Sequence, residues 1–153
     1  VSSTVDAVVL LHASDETSAF HADARRLLAV LTSGPELLYV FWPVVFGYLR
    51  LATSAAIFEH PLSDDQAGGN IKALLALPNV RAAGGEDPVW EHFPRAAGEV
   101  WLRGDFVTRG YLVGFMRDHG VSTIWTGDPG YLRFPGITVR NPFGRDRLVT
   151  RPR

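Results

Sequence analysis

Residues 37–49 read LLYVFWPVVFGYL, an apolar run broken only by a proline and a glycine. The run is too short to cross a bilayer as a helix, and Pro43 interrupts it. Over residues 37–41 no polar side chain alternates with the apolar ones, which predicts a strand covered on both faces. Pro43 then suits the first position of a helix that runs to about Ala52. A strand with neither face left for water, feeding straight into a helix, belongs in a parallel sheet between helices.

The rest of the chain repeats that alternation. A short first strand ends near Asp6. FHADARRLLAVL puts Phe20, Ala24, Leu27, Leu28 and Leu31 on one face of a helix that Ser18 would cap and Ser33-Gly34-Pro35 would end. In LSDDQAGGNIKALLAL, Ser63 and Gln66 have the spacing of a capping box, predicting a third helix. Residues 80–82 suit a short strand. Residues 87–102 carry a weak helical signal, interrupted by Pro94 and Gly98. A helix over residues 107–119 follows, with Thr108 as its N-cap and Gly120 just past its end. VSTIWT is a further strand, Gly127-Asp128-Pro129 a turn, and residues 136–139 the last strand. The expected fold is α/β, a three-layer αβα sandwich with a mostly parallel central sheet. At 153 residues the chain is one domain, here residues 1–143, with a basic tail at 144–153.

Composition narrows the chemistry. The formal net charge is −1, so nothing global draws the chain to nucleic acid or to a membrane. Cysteine is absent, which removes disulfides, thiolate metal sites and thiol nucleophiles. No basic region precedes the apolar stretch of VSSTVDAVVLL, so no signal peptide is read there and a cytoplasmic location is expected. There is no phosphate loop, no dinucleotide fingerprint and no GxSxG elbow, and the five histidines form no i, i+4 pair. Lys72, the only lysine, falls inside an amphipathic helix, which argues against phosphoaspartyl chemistry.

Ligands of open parallel sheets bind beyond the carboxyl ends of the strands. Two acids fall there, Asp6 after the first strand and Asp128 after VSTIWT. Either one alone is equally readable as a loop aspartate that caps a helix or closes an Asx-turn.

Four stretches in order carry a family resemblance: VDAVVLLHASDETSAFHADARRLL, FWPVVFGYLRLAT, RGDFVTRGYLVGFMRDHGV and TIWTGDPGYLRFPGITVRNPF. Together they resemble PIN-domain ribonuclease toxins of the VapC type. That resemblance implies a PIN-like fold, a cognate antitoxin and RNA as partners, a homodimer, and no membrane partner. It also implies Mg²⁺ or Mn²⁺ held by strand-end carboxylates, activating water against an RNA phosphodiester. Asp6 and Asp128 match two of the family's acids and take the catalytic and metal-binding roles. The glutamate of the second helix falls at Gly47, and the aspartate opening the later helix falls at Arg109. Val8 stands where the family carries asparagine. Asp105 is the candidate that compensates as a metal ligand, with Asp15 and Glu16 more remote. Arg50 matches a family arginine that could contact RNA, though a structural ion pair explains it as well.

Arg109 is therefore a charge reversal at the site. A guanidinium beside the metal position lowers metal affinity by about two decades. It can instead pair with Asp6 and Asp128 and stand in for the metal, or it can swing into solvent. Two functions follow: a VapC-like toxin with weak metal binding and weakened or lost cleavage, or a degenerate PIN domain that binds antitoxin or RNA without cutting.

Overall fold

The computed structural model describes residues 1–85 and 103–144. The weak helical signal at 87–102 and the arginines of the tail lie outside the described residues. Along the chain run β1 (Ser3–Val5), α1 (Ala7–Ser14), α2 (His21–Ser33), β2 (Leu38–Phe41), α3 (Trp42–Ala52), α4 (Asp64–Leu75) and β3 (Val80–Ala83). After the undescribed stretch come α5 (Asp105–Asp118), β4 (Thr123–Trp125), a 3-10 turn (Pro129–Arg133) and β5 (Thr138–Arg140).

The five strands form one sheet in the order β3-β2-β1-β4-β5, and every pairing is parallel. From β1 the chain steps outward to β2 and β3, then returns across the sheet to β4. Right-handed crossovers in opposite directions cover opposite faces, giving the three-layer αβα sandwich. The contacts agree: α1 packs on α2 and α3, and α3 on α4. On the other face, Phe115 of α5 stacks on Phe41 of β2, with ring centres 6.1 Å apart. The strand order reverses between β1 and β4, which opens a crevice at their carboxyl ends.

The buried run behaves as its composition dictates. Leu38, Val40 and Phe41 are buried, and Pro43 sits in the first turn of α3. Ser63 and Gln66 form both halves of the capping box on α4. Gly120 follows α5 with φ +67°, the left-handed conformation that a glycine adopts without strain.

Several boundaries differ from the sequence reading. AVVLLHAS is a helix, α1, that starts directly after β1 with Asp6 as its N-cap. An apolar run of that length does not by itself distinguish a strand from a buried helix. Helix α2 begins at His21, and Ser18 serves the turn before it, accepting from the Phe20 N–H. Phe20 sits half-exposed against the His12 and Phe143 rings rather than on the buried face of α2. Helix α5 starts at Asp105 behind Gly104, so Thr108 lies inside the helix and is not its cap. Arg109 is consequently one full turn into α5, beyond the first-turn position expected of it. The last strand begins at Thr138, because Gly136, at φ +77°, still belongs to a turn.

Candidate functional site

The acids reach the crevice by local necessity. Asp6 is the first residue beyond β1, and its N–H still donates to the Trp125 carbonyl at 3.0 Å. Its carboxylate then caps α1, with Oδ1 accepting from the Ala7 N–H at 2.7 Å. Asp128 caps the 3-10 turn, its Oδ1 accepting from the Gly130 N–H at 2.8 Å. Both carboxylates therefore have the capping role open to any loop aspartate, and both have it at the point where strand order reverses.

Thr126 ties the two acids together. Its hydroxyl donates to Asp6 Oδ2 at 2.8 Å and accepts from the Asp128 N–H at 3.0 Å. Thr126 is itself buried, held by its N–H to the Arg140 carbonyl at 2.9 Å. Arg109 reaches in from α5 and donates from Nε to Asp128 Oδ2 at 2.7 Å. Its guanidinium carbon also lies 4.9 Å from the centre of the Phe106 ring. Gly130 makes room for it, since a Cβ there would lie 2.6 Å from Arg109 Nε.

The electrostatics follow from that packing. Burial pushes the Asp6 carboxyl up, and the negative charge of Asp128 adds to this. The Thr126 and Ala7 hydrogen bonds and the positive charge of Arg109 work in the opposite direction without prevailing. The hydrogen bond to Asp128 is the main cause that holds Arg109 more firmly protonated than usual. Tyr131, buried beside both aspartates, is pushed strongly up, chiefly by burial and then by their charges.

As they stand, these residues make a poor site for a divalent cation. All four carboxylate oxygens of Asp6 and Asp128 already accept a hydrogen bond, one of them from a guanidinium. Among the described residues no group of three or more histidines, aspartates or glutamates is placed to hold a metal. Asp105 is exposed at the start of α5, one turn before Arg109, where its charge favours the protonated guanidinium. Asp15 makes an Asx-turn with Thr17, whose hydroxyl and N–H both donate to its Oδ1. Asp15 and Glu16 follow the far end of α1, about 12 Å along the helix from Asp6. Arg50 is exposed in the last turn of α3, which starts at the strand carboxyl ends and runs away from them.

Gly47 does face the crevice: a Cβ built there would meet Ala7 Cβ at 3.5 Å, next to Asp6. Val8 is partly exposed on α1. Among the aromatic residues of the run 37–49, Phe41 and Tyr48 are buried, while Phe46 is 65% exposed. Sequence reasoning missed Thr126, Gly130, Tyr131 and Phe106. Only Thr126 left a signal, the Thr-Gly-Asp spacing of a side-chain-capped turn. A cavity of about 600 Å³ lies apart from the acids, among α1, α2, α3 and α4, lined by Ser14, Arg25, Tyr48 and Asn70 among others.

No family model matches the chain. Over 143 residues it is 39% identical to "Ribonuclease VapC48" of Mycobacterium tuberculosis, an alignment that covers 94% of this chain and 99% of that one. It is 28% identical to "Ribonuclease VapC43" of the same species, across 90% of this chain and 93% of that one. Among solved structures, VapBC2 from Rickettsia felis, bound to a DNA fragment from its promoter, has a similar fold. Its TM-score is 0.64 at 10% identity, covering 92% of this chain and 98% of that one. Mycobacterium tuberculosis VapC20, a toxin that cleaves the sarcin–ricin loop, gives 0.59 at 18% identity, covering 88% and 97%.

Proposed function

The chain belongs to the VapC ribonuclease family, and from that premise we propose that it is the toxin of a toxin–antitoxin pair, with RNA as its ligand and with metal-dependent cleavage weakened by its own Arg109. The carrying observation is the joining of Asp6 and Asp128 through one buried Thr126 hydroxyl at the reversal of strand order. Hard carboxylate oxygens at that point suit Mg²⁺ or Mn²⁺ rather than a softer metal. Two acids without the usual glutamate and aspartate hold such an ion weakly, and the Arg109 guanidinium on Asp128 weakens it further.

Thr126 fixes the two carboxylates relative to each other, and Arg109 balances the charge of Asp128. Tyr131 is buried within electrostatic reach of both aspartates. A second reading, a PIN domain that binds antitoxin or RNA without cutting, is favoured by the engagement of all four carboxylate oxygens.

The test is RNA cleavage by the purified chain with Mn²⁺, beside the double variant Gly47→Glu/Arg109→Asp and a size-exclusion assay with its cognate antitoxin. The proposal expects a stable complex with that antitoxin, slow cleavage by the wild type, and cleavage at least about a hundredfold faster by the double variant. Fast wild-type cleavage contradicts the weakened site. No cleavage by either form, with the complex intact, favours the second reading.

A further inference from the structure

We propose that Arg109 and Arg133, held against the ring of Phe106, form a metal-independent grip for RNA phosphates at the mouth of the crevice. The grip rests on the reading of RNA as the ligand and adds how it is held.

The geometry is specific. The guanidinium carbons of Arg109 and Arg133 each lie 4.9 Å from the centre of the Phe106 ring. Their separation is therefore at most twice that, a span that one or two neighbouring phosphates can bridge. The two arginines come from different elements: Arg109 from α5, three residues after Phe106, and Arg133 from the end of the 3-10 turn that Asp128 caps. Phe106 is itself braced by the buried Phe134, 6.3 Å away between ring centres. A ring braced by a buried neighbour orients both planar cations, so less side-chain freedom is lost when an anion arrives.

Both guanidiniums have capacity to spare. Arg109 gives only Nε to Asp128, and among the described residues no other hydrogen bond occupies its two terminal amino groups. Arg133 is exposed, and among the described residues no carboxylate pairs with it. A planar guanidinium with both terminal amino groups open matches a phosphate with two parallel hydrogen bonds. Arg109 offsets Asp128, and Arg133 supplies the further positive charge. Among the described residues, Asp6 and the exposed Asp105 at the start of α5 are the further carboxylates that act on Arg109. The two guanidiniums would meet the phosphate directly, without a metal.

The experiment measures fluorescence anisotropy of a labelled single-stranded RNA oligonucleotide, in EDTA, across a salt series. The wild type is expected to bind without metal. Arg133→Ala should weaken binding about tenfold and reduce the slope of log affinity against log salt by about 0.7, the contribution of one phosphate contact. Arg133→Lys should recover part of the affinity, and Asp105→Asn should tighten it. Arg133 is exposed, so these variants leave the core untouched.

RNA binding that requires Mn²⁺ and ignores Arg133→Ala overturns the grip but leaves RNA as the ligand. Loss of antitoxin binding in Arg133→Glu, with RNA affinity unchanged, reassigns the arginine to a protein contact and also overturns the grip. No RNA binding by the wild type, with or without metal, removes both the grip and the reading beneath it.

Discussion

Arg109 donates from Nε to Asp128 Oδ2 at 2.7 Å, and it does so through space that exists only because residue 130 has no side chain. The backbone of Gly130 is not in the left-handed region, so backbone conformation does not demand a glycine there. The approach of the guanidinium does. Arginine and glycine together read as a fitted pair rather than as one stray substitution at an acidic site.

The fit has a thermodynamic signature. Gly130→Ala should destabilise the fold by about 1–3 kcal/mol, or displace Arg109 from Asp128, because the added Cβ overlaps the guanidinium stem. In an Arg109→Ala background the same change should be neutral or stabilising, by up to about 1 kcal/mol, since alanine restricts the unfolded chain more. A double-mutant cycle by urea denaturation checks this, and additive effects would separate the two residues.

Thr126 holds the two aspartates together through one hydroxyl. Thr126→Val keeps the shape but strips Asp6 Oδ2 and the Asp128 N–H of their shared partner. The expected cost is about 1–3 kcal/mol, the penalty for leaving buried polar groups unpaired. Thr126→Ser should restore most of it. Equal stability of the valine and serine forms would show that the hydroxyl bridge contributes nothing.

Asp6 predicts a pH dependence with a definite sign. Burial raises its folded pKa above the ordinary carboxylate value, so the native state holds that proton more tightly than the unfolded chain does. Stability from this group is full below the unfolded value and is lost as pH rises through the raised folded value. Asp6→Asn should therefore gain stability relative to the wild type as pH climbs from about 4 toward neutrality. Melting temperatures of the two proteins across that range test it, and parallel curves would contradict the raised value.

Gly47 is vacant by sequence rather than by sterics. A Cβ there makes ordinary contact with Ala7 at 3.5 Å, and α3 gains from losing an interior glycine. Gly47→Ala should stabilise the fold by about 0.5–1 kcal/mol. A loss of stability on thermal denaturation would mean that the cleft beside Asp6 is tighter than its backbone indicates.

Much of this architecture was legible because it is written locally. The unalternating residues 37–41, Pro43 behind them, and Ser63 with Gln66 each carry their reason within a few positions. The placement of Asp6 and Asp128 beyond strand ends came from the same reasoning. Helix α1 was not legible, because AVVLL has no polar residue to set its period. The start of α5 was misplaced because Gly104 caps it by backbone geometry alone, whereas Thr108 carries a side chain that resembles a cap. Thr126, Gly130 and the Phe106–Arg133 contact depend on β4, α5 and the 3-10 turn converging. Their positions in sequence say nothing of that convergence.

Titration calorimetry with Mn²⁺, on the wild type and on Arg109→Asp, tests the resident cation most directly. A guanidinium about 5 Å from the metal position opposes each unit of metal charge by about 3 kcal/mol at an effective dielectric near 20. Weak or undetectable binding by the wild type is expected. Arg109→Asp should bind at least about a hundredfold tighter, an affinity abolished again when Asp6→Ala is added. Equal Mn²⁺ affinity in wild type and Arg109→Asp would contradict a resident cation.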